Sequence, residues 1–150
     1  MHIVLIGPPG SGKGTQAALV SQYYKLPSIS MGELCRFAAK KDTKMGRYVK
    51  NIIESGKRIP DEMATELMVR RLKKKDCRDG FILDGYPRNM TQVKLFSPHF
   101  HVDYAIHLSV PASVVVKRLT SRWQCTECSA IYGMGAQPKK KGVCNKCGSR

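Results

Sequence analysis

Residues 2–15 read HIVLIGPPGSGKGT, an apolar run from His2 to Ile6 that stops at glycine and proline and resumes in a helix-forming stretch. A run of five residues, four of them aliphatic, closed by turn signals predicts a buried strand. Gly7, Gly12 and Lys13 stand in the spacing G-x-x-x-x-G-K, followed by Gly14 and a hydroxyl at Thr15. Glycines suit a turn whose amides approach a phosphate closely, because they adopt backbone angles that a side chain forbids. The helix that starts near Lys13 adds its N-terminal amides and dipole, and the lysine adds a mobile positive charge. A chance glycine turn explains the glycines alone. Strand, loop, lysine and helix in this order predict a nucleotide phosphate loop.

The pattern continues outward from that loop. Apolar positions carry the first helix to about Tyr24, LPSIS at 26–30 reads as a second strand, and Ser30 with Glu33 forms a capping-box pattern. Helical patterns cover about 32–40 and 45–55, Gly56 ends the second, and Pro60 and Asp61 open a long helix through about Lys74. FILDG at 81–85 supplies a third strand and 89–95 a helix. YAIHLSV at 104–110 supplies a fourth strand before a helix begun at Pro111. Strands alternating with helices predict an α/β fold, a parallel sheet with flanking helices, with ligands outside the carboxyl ends of the strands. Both glycine turns, after Ile6 and after Asp84, should therefore meet at one crevice. Asp84, ending an apolar strand, is the candidate carboxylate for Mg2+ or its waters, against the plainer reading of a turn or capping aspartate.

At 150 residues, 42% hydrophobic and 25% charged, the chain suits one compact domain with a small insertion and is not a disordered segment. The opening run is too short for a secretory signal or a membrane span. A cytoplasmic protein is expected, with no membrane partner. The charge is unusual: 26 Lys and Arg against 11 Asp and Glu give +15, a surface that attracts polyanions. Part of it, such as Lys73 to Lys75 at a helix end, reads as ordinary solvated surface. His2, His99, His101 and His107 fall in no motif.

Cys125, Cys128, Cys144 and Cys147 form C-x2-C-x15-C-x2-C, the spacing of tetrahedral structural zinc. Four cysteines close the coordination shell, so the metal is not the catalyst. Cys35 and Cys77 read as ordinary thiols. Similar zinc ribbons bind nucleic acid, and PKKKG at 138–142 lies between the cysteine pairs. Trp123 and Tyr132, the aromatics near it, make a thin stacking platform, and no specific nucleic acid is expected.

GPPGSGKGTQ, ISMGELCR, SGKRIPDE, GFILDGYPRNMTQ and VVVKRLTSRWQCTEC occur in the order and spacing of adenylate kinases, and the four-cysteine segment resembles the long-lid, zinc-binding form. The resemblance spans essentially the whole chain. It implies a P-loop NTPase-type core at 1–29 and 60–121, a helical NMP-binding insertion at 30–59, and a zinc-knuckle lid from 122. In the family the lid continues past the second cysteine pair and returns to a last core strand and helix, so the chain reads as truncated within the lid. The implied reaction is MgATP plus AMP giving two ADP, in purine nucleotide homeostasis. Gly10, Ser11, Gly12, Lys13, Gly14 and Thr15 match the residues that cradle ATP's phosphates. Arg118 and Arg122 match residues against its adenine and its phosphates. Met31, Arg36, Lys57, Arg58, Ile59, Gly85, Tyr86, Pro87, Arg88 and Gln92 match the AMP site, in which Gln92 reads adenine. Lys13, Arg88 and Arg122 carry the catalytic charge. A monomer is expected.

Several positions depart from the family. Met31 replaces a threonine in the AMP pocket, Glu33 an aspartate and Tyr86 a phenylalanine, while Ser129 and Gly133 stand where glycine and histidine are often found. Two other readings stand beside the kinase: a zinc-ribbon nucleic-acid-binding P-loop protein, and a truncated nucleotide binder with little turnover.

Overall fold

A computed structural model describes residues 1–128 and 130–150; Ser129, one of the departures above, lies outside the described residues. The chain divides into two compact units, Met1–Gly7 with Gly12–Leu108, and Pro8–Ser11 with Ser109–Arg150.

In the first unit, β1 (His2–Ile6) is followed by α1 (Lys13–Tyr24), β2 (Ser28–Ser30), α2 (Met31–Ala39), α3 (Lys44–Glu54) and α4 (Asp61–Leu72). A 3-10 turn (Lys75–Cys77), β3 (Phe81–Asp84), α5 (Met90–Phe96) and β4 (Tyr104–His107) complete it. The sheet is parallel in the order β2-β3-β1-β4, with Leu5 beside Asp84 and Ile6 beside His107. Helical crossovers cover both faces of such a sheet, which is why β1 and β3 read as continuous apolar runs rather than alternating ones. On one face Ile3 and Leu5 pack with Ala17, Leu26 and Ile82; on the other Val4 packs with Ile29, Met68, Phe81, Leu83 and Phe96. The order places β1 between β3 and β4, so the turns after β1 and β3 leave neighbouring strand ends.

Two of the six α-helix starts described carry a side-chain cap. Thr43 caps α3 by accepting from the Gly46 amide at 3.0 Å, and Asn89 caps α5 through the Gln92 amide at 2.8 Å. Ser30 occupies the N-cap position of α2 in extended conformation, but its side chain accepts no capping hydrogen bond, so the expected capping box is only positional. Gly46, in the first turn of α3, packs against the end of α2 and the loop after it: a Cβ there would stand 2.1 Å from the Lys41 carbonyl oxygen and 2.7 Å from that of Ala38.

In the second unit, α6 (Ala112–Thr120) starts after Pro111, and a two-residue hairpin of β5 (Trp123–Gln124) and β6 (Ile131–Tyr132) leads into the cysteine knuckle. Strands this short carry no periodic signal, and the sequence reading misses them. Among the described residues no helix is long and apolar enough to cross a membrane.

Candidate active site

At the carboxyl end of β1 the backbone turns through left-handed glycines. Gly10 has φ 80° and Gly12, at the N-cap of α1, has φ 98°. In the first unit, Lys13 Nζ donates to the Gly7 carbonyl at 2.8 Å, folding the lysine back along the loop. Asp84 sits beside the same helix start: a Cβ on Gly14 would come to 3.4 Å from Asp84 Oδ2. The two glycine turns predicted to converge thus do so through Gly14 and Asp84. A carboxylate at a phosphate-binding helix start offers hard oxygen ligands, a donor set that fits hydrated Mg2+.

In the second unit, the loop residues Pro8–Ser11 form a turn closed by the Ser11 amide on the Pro8 carbonyl at 3.1 Å. Ser11 Oγ is buried without a hydrogen-bond partner among the described residues, an orphaned polar atom in a loop read as phosphate-binding. Arg118 Nη1 donates to the Gly10 and Ser11 carbonyls at 3.3 and 3.4 Å.

A cavity of ≈ 220 Å3 opens among α2, α3, α4 and the turn after β3. Seven of the ten residues expected at the AMP site line it: Met31, Arg36, Lys57, Arg58, Ile59, Arg88 and Gln92. Four cations thus share one small pocket, a charge density suited to a phosphate dianion. Gly85, Tyr86 and Pro87 do not line it. Gly85 has φ 75° and its carbonyl accepts from Arg88 Nε at 2.7 Å, so the turn aims the guanidinium. Tyr86 is core, its hydroxyl donating to Thr65 Oγ1 at 2.8 Å, and Tyr86–Pro87 is a cis peptide.

Six lining residues escaped the sequence reading, three of them, Cys35, Asp61 and Asn89, with polar or ionisable side chains. Asp61 accepts from Gln92 Nε2 at 2.7 Å and from Asn89 Nδ2 at 3.0 and 3.1 Å. Gln92 Oε1 accepts from the Arg88 amide at 2.7 Å. The glutamine is therefore fixed in orientation, with one amide hydrogen still to donate. Cys35 Sγ lies 3.7 Å from Met31 Sδ, and burial pushes its thiol up against the opposing pull of Arg88 and Arg36. The IPDE segment signalled Asp61 only as a helix start.

The four knuckle sulfurs lie within 4.8 Å of one another, with Cys125 3.6 Å from Cys147 and Cys128 3.4 Å from Cys144. Zinc–sulfur bonds of about 2.3 Å imply tetrahedral edges of about 3.8 Å, so the cluster fits zinc, and the sulfurs are too far apart for disulfides. Around them, Ser149 Oγ is 3.0 Å from Cys125 Sγ, and the Lys146 amide donates to Cys144 Sγ at 3.4 Å. Tyr132 Oη, 3.3 Å from Cys144 Sγ, holds that thiol down at about 6 by hydrogen bonding to its thiolate. Such partners orient metal ligands.

The family model described as adenylate kinase matches residues 5–145. An adenylate kinase of Fervidobacterium nodosum is 40% identical over 154 residues, covering 99% of this chain and 71% of the relative. One from Archaeoglobus fulgidus shows the same identity and coverage, and one from Clostridium tetani is 38% identical over 156 residues, covering 100% and 72%.

Proposed function

Since the chain belongs to the adenylate kinase family and is a nucleoside monophosphate kinase, we propose that it transfers the terminal phosphoryl group of MgATP to AMP, giving two ADP. The observation that carries this reading is the pocket that Arg36, Lys57, Arg58 and Arg88 line together with the fixed Gln92 amide. A dianionic phosphate and a base with an acceptor atom are what such a pocket takes.

An AMP phosphate is already an ionised nucleophile, so transfer needs no strong base; it needs charge neutralisation, alignment and exclusion of water. We assign Arg36 and Arg88 to the AMP phosphate and Gln92 to its base. Gly10 to Thr15 supply amides to ATP's phosphates, and Lys13 supplies a cation with three N–H donors to them. Arg118 and Arg122 take the roles the family resemblance implies, on ATP's adenine and phosphates. Bound near Asp84, Mg2+ supplies further neutralisation of phosphate charge. Zinc at the four cysteines has a structural role, since a closed thiolate shell leaves no place for an activated water. We place the enzyme in the cytoplasm, where its thiols stay reduced, and expect a monomer.

The test is a coupled assay of ADP formation from MgATP with AMP, CMP, UMP or GMP in turn. AMP should be preferred, and Lys13→Ala should lower the rate by at least a hundred-fold, the scale of losing one charge that stabilises the transition state. Unchanged turnover in that variant removes the proposed site. No ADP from the native chain, with ATP binding intact, would favour a nucleotide binder.

A further inference from the structure

The second unit carries a feature that phosphoryl transfer does not use. Residues 109–150 hold eight Lys and Arg against one acid, Glu127. Lys139, Lys140, Lys141, Lys146 and Arg150 belong to none of the proposed nucleotide contacts. Among the described residues none of them forms an ion pair.

One of them is linked through its backbone to an aromatic surface. Trp123 and Tyr132 are cross-strand partners in the hairpin, and their rings stack with centroids 4.5 Å apart and planes 20° apart. Tyr132 is 6% exposed and Trp123 39%, so the tyrosine backs the tryptophan while the tryptophan faces water. Tyr132 Oη accepts from the Asn145 amide at 2.6 Å, and Asn145 Oδ1 accepts from the Lys139 amide at 2.9 Å. This chain of contacts links the Lys139 backbone to the part of the knuckle that bears the tryptophan, and Lys140, Lys141 and Lys146 adjoin Lys139 or Asn145 in sequence. Ile131, also exposed, pairs with Gln124 and points to the opposite face of the hairpin. The exposed apolar side chains of the two strands therefore do not merge into one patch, which disfavours insertion into a lipid surface.

We propose that the knuckle surface around Trp123 and Lys139–Lys141 binds single-stranded nucleic acid without sequence preference. The lysines would neutralise successive phosphates, and the indole would stack on a base, which every base permits. The two aromatics that look thin in sequence act as one buttressed ring.

The chain has one tryptophan, so stacking reports directly on its fluorescence. The full zinc-loaded chain, held at saturating MgATP, is titrated with an oligouridylate of about twelve nucleotides. Quenching is expected, with affinity that falls as salt rises. Anisotropy of a labelled oligonucleotide then serves the variants. Replacing all of Lys139, Lys140 and Lys141 by Ala should lower the salt slope by about 2. Trp123→Ala should weaken oligonucleotide binding about ten-fold and leave binding of inorganic polyphosphate of equal length unchanged. Trp123→Phe, which keeps a ring on Tyr132, should retain most of the affinity, and zinc content verifies that each variant is folded. The proposal fails if the native chain does not bind the oligonucleotide at low salt, if polyphosphate binds as tightly, or if Trp123→Ala with its zinc intact binds like the native chain. Binding to phosphatidylserine vesicles without oligonucleotide binding also overturns it.

Discussion

Gln92 is the residue on which the acceptor pocket turns. It is buried, donates to Asp61 and accepts from the Arg88 amide, so one side chain joins α4, α5 and the turn after β3. Gln92→Ala leaves the part-buried Arg88 amide without this acceptor and Asp61 with Asn89 as its remaining side-chain donor, a cost of about 1 kcal/mol. We expect a lower melting temperature together with a KM for AMP raised at least ten-fold and a KM for ATP little changed; equal changes in both would remove the base-reading role. Gln92 was legible because it sits in a recognisable motif, whereas Asp61 and Cys35 look like any helix residues until packing turns them inward. Cys35, Cys77 and Tyr86 share a second property. Burial raises the pKa of all three, so the folded chain holds their protons more tightly than the unfolded chain does. Their contribution is complete below the unfolded values, near 8.5 for a thiol, and is lost as pH rises through the folded ones. Thermal stability should therefore fall as pH rises above about 8.5, and Cys35→Ala should blunt that fall. A flat profile over this range would show that the thiol is not buried in solution.

Among the elements, those with a long period or a buried run were the readable ones. β1, α1, β3 and α5 lie within a residue or two of their expected ends, because glycine, proline and Asn89 punctuate them. The fourth strand was read through Val110 but ends at His107, since an apolar run continues past the last ladder partner and only pairing sets the boundary. β5 and β6 escaped because two residues show no alternation; zinc at the four cysteines beside them would hold them together. That dependence is testable. The only buried cluster of the knuckle among the described residues comprises Cys125, Tyr132 and Cys144, with Cys128 and Ala130 partly buried against it. So small a core cannot offset the entropy of ordering its chain, and a structural zinc contributes on the order of 10 kcal/mol. One zinc per chain is expected by elemental analysis. A chelator should abolish amide protection around Cys125 and Cys144 while the β1 and β3 amides stay protected. Protection that survives in metal-free protein would show that the hairpin folds without the ion.

At the scale of the whole molecule, charge and sheet topology act against each other. The order β2-β3-β1-β4 puts β4 at an edge, and Tyr104 and Ile106 on it are exposed. Unpaired donors and acceptors beside exposed apolar side chains form a template for another strand. Composition foretold the opposing term, a net charge of +15, but not which edge it protects, because strand order depends on contacts between residues about a hundred positions apart, such as Val4 with Ala105. Two chains that bring these edges together also bring their like charges together. The repulsion reaches about 10 Å at 0.1 M salt and about 3 Å at 1 M, whereas the edge attraction is short-ranged and insensitive to salt. Light scattering should therefore find monomers at low ionic strength and growing association as salt is added. Ile106→Lys, which places a charge on the edge itself, should keep the chain monomeric at 1 M salt, whereas association that persists in this variant would place the contact elsewhere on the molecule.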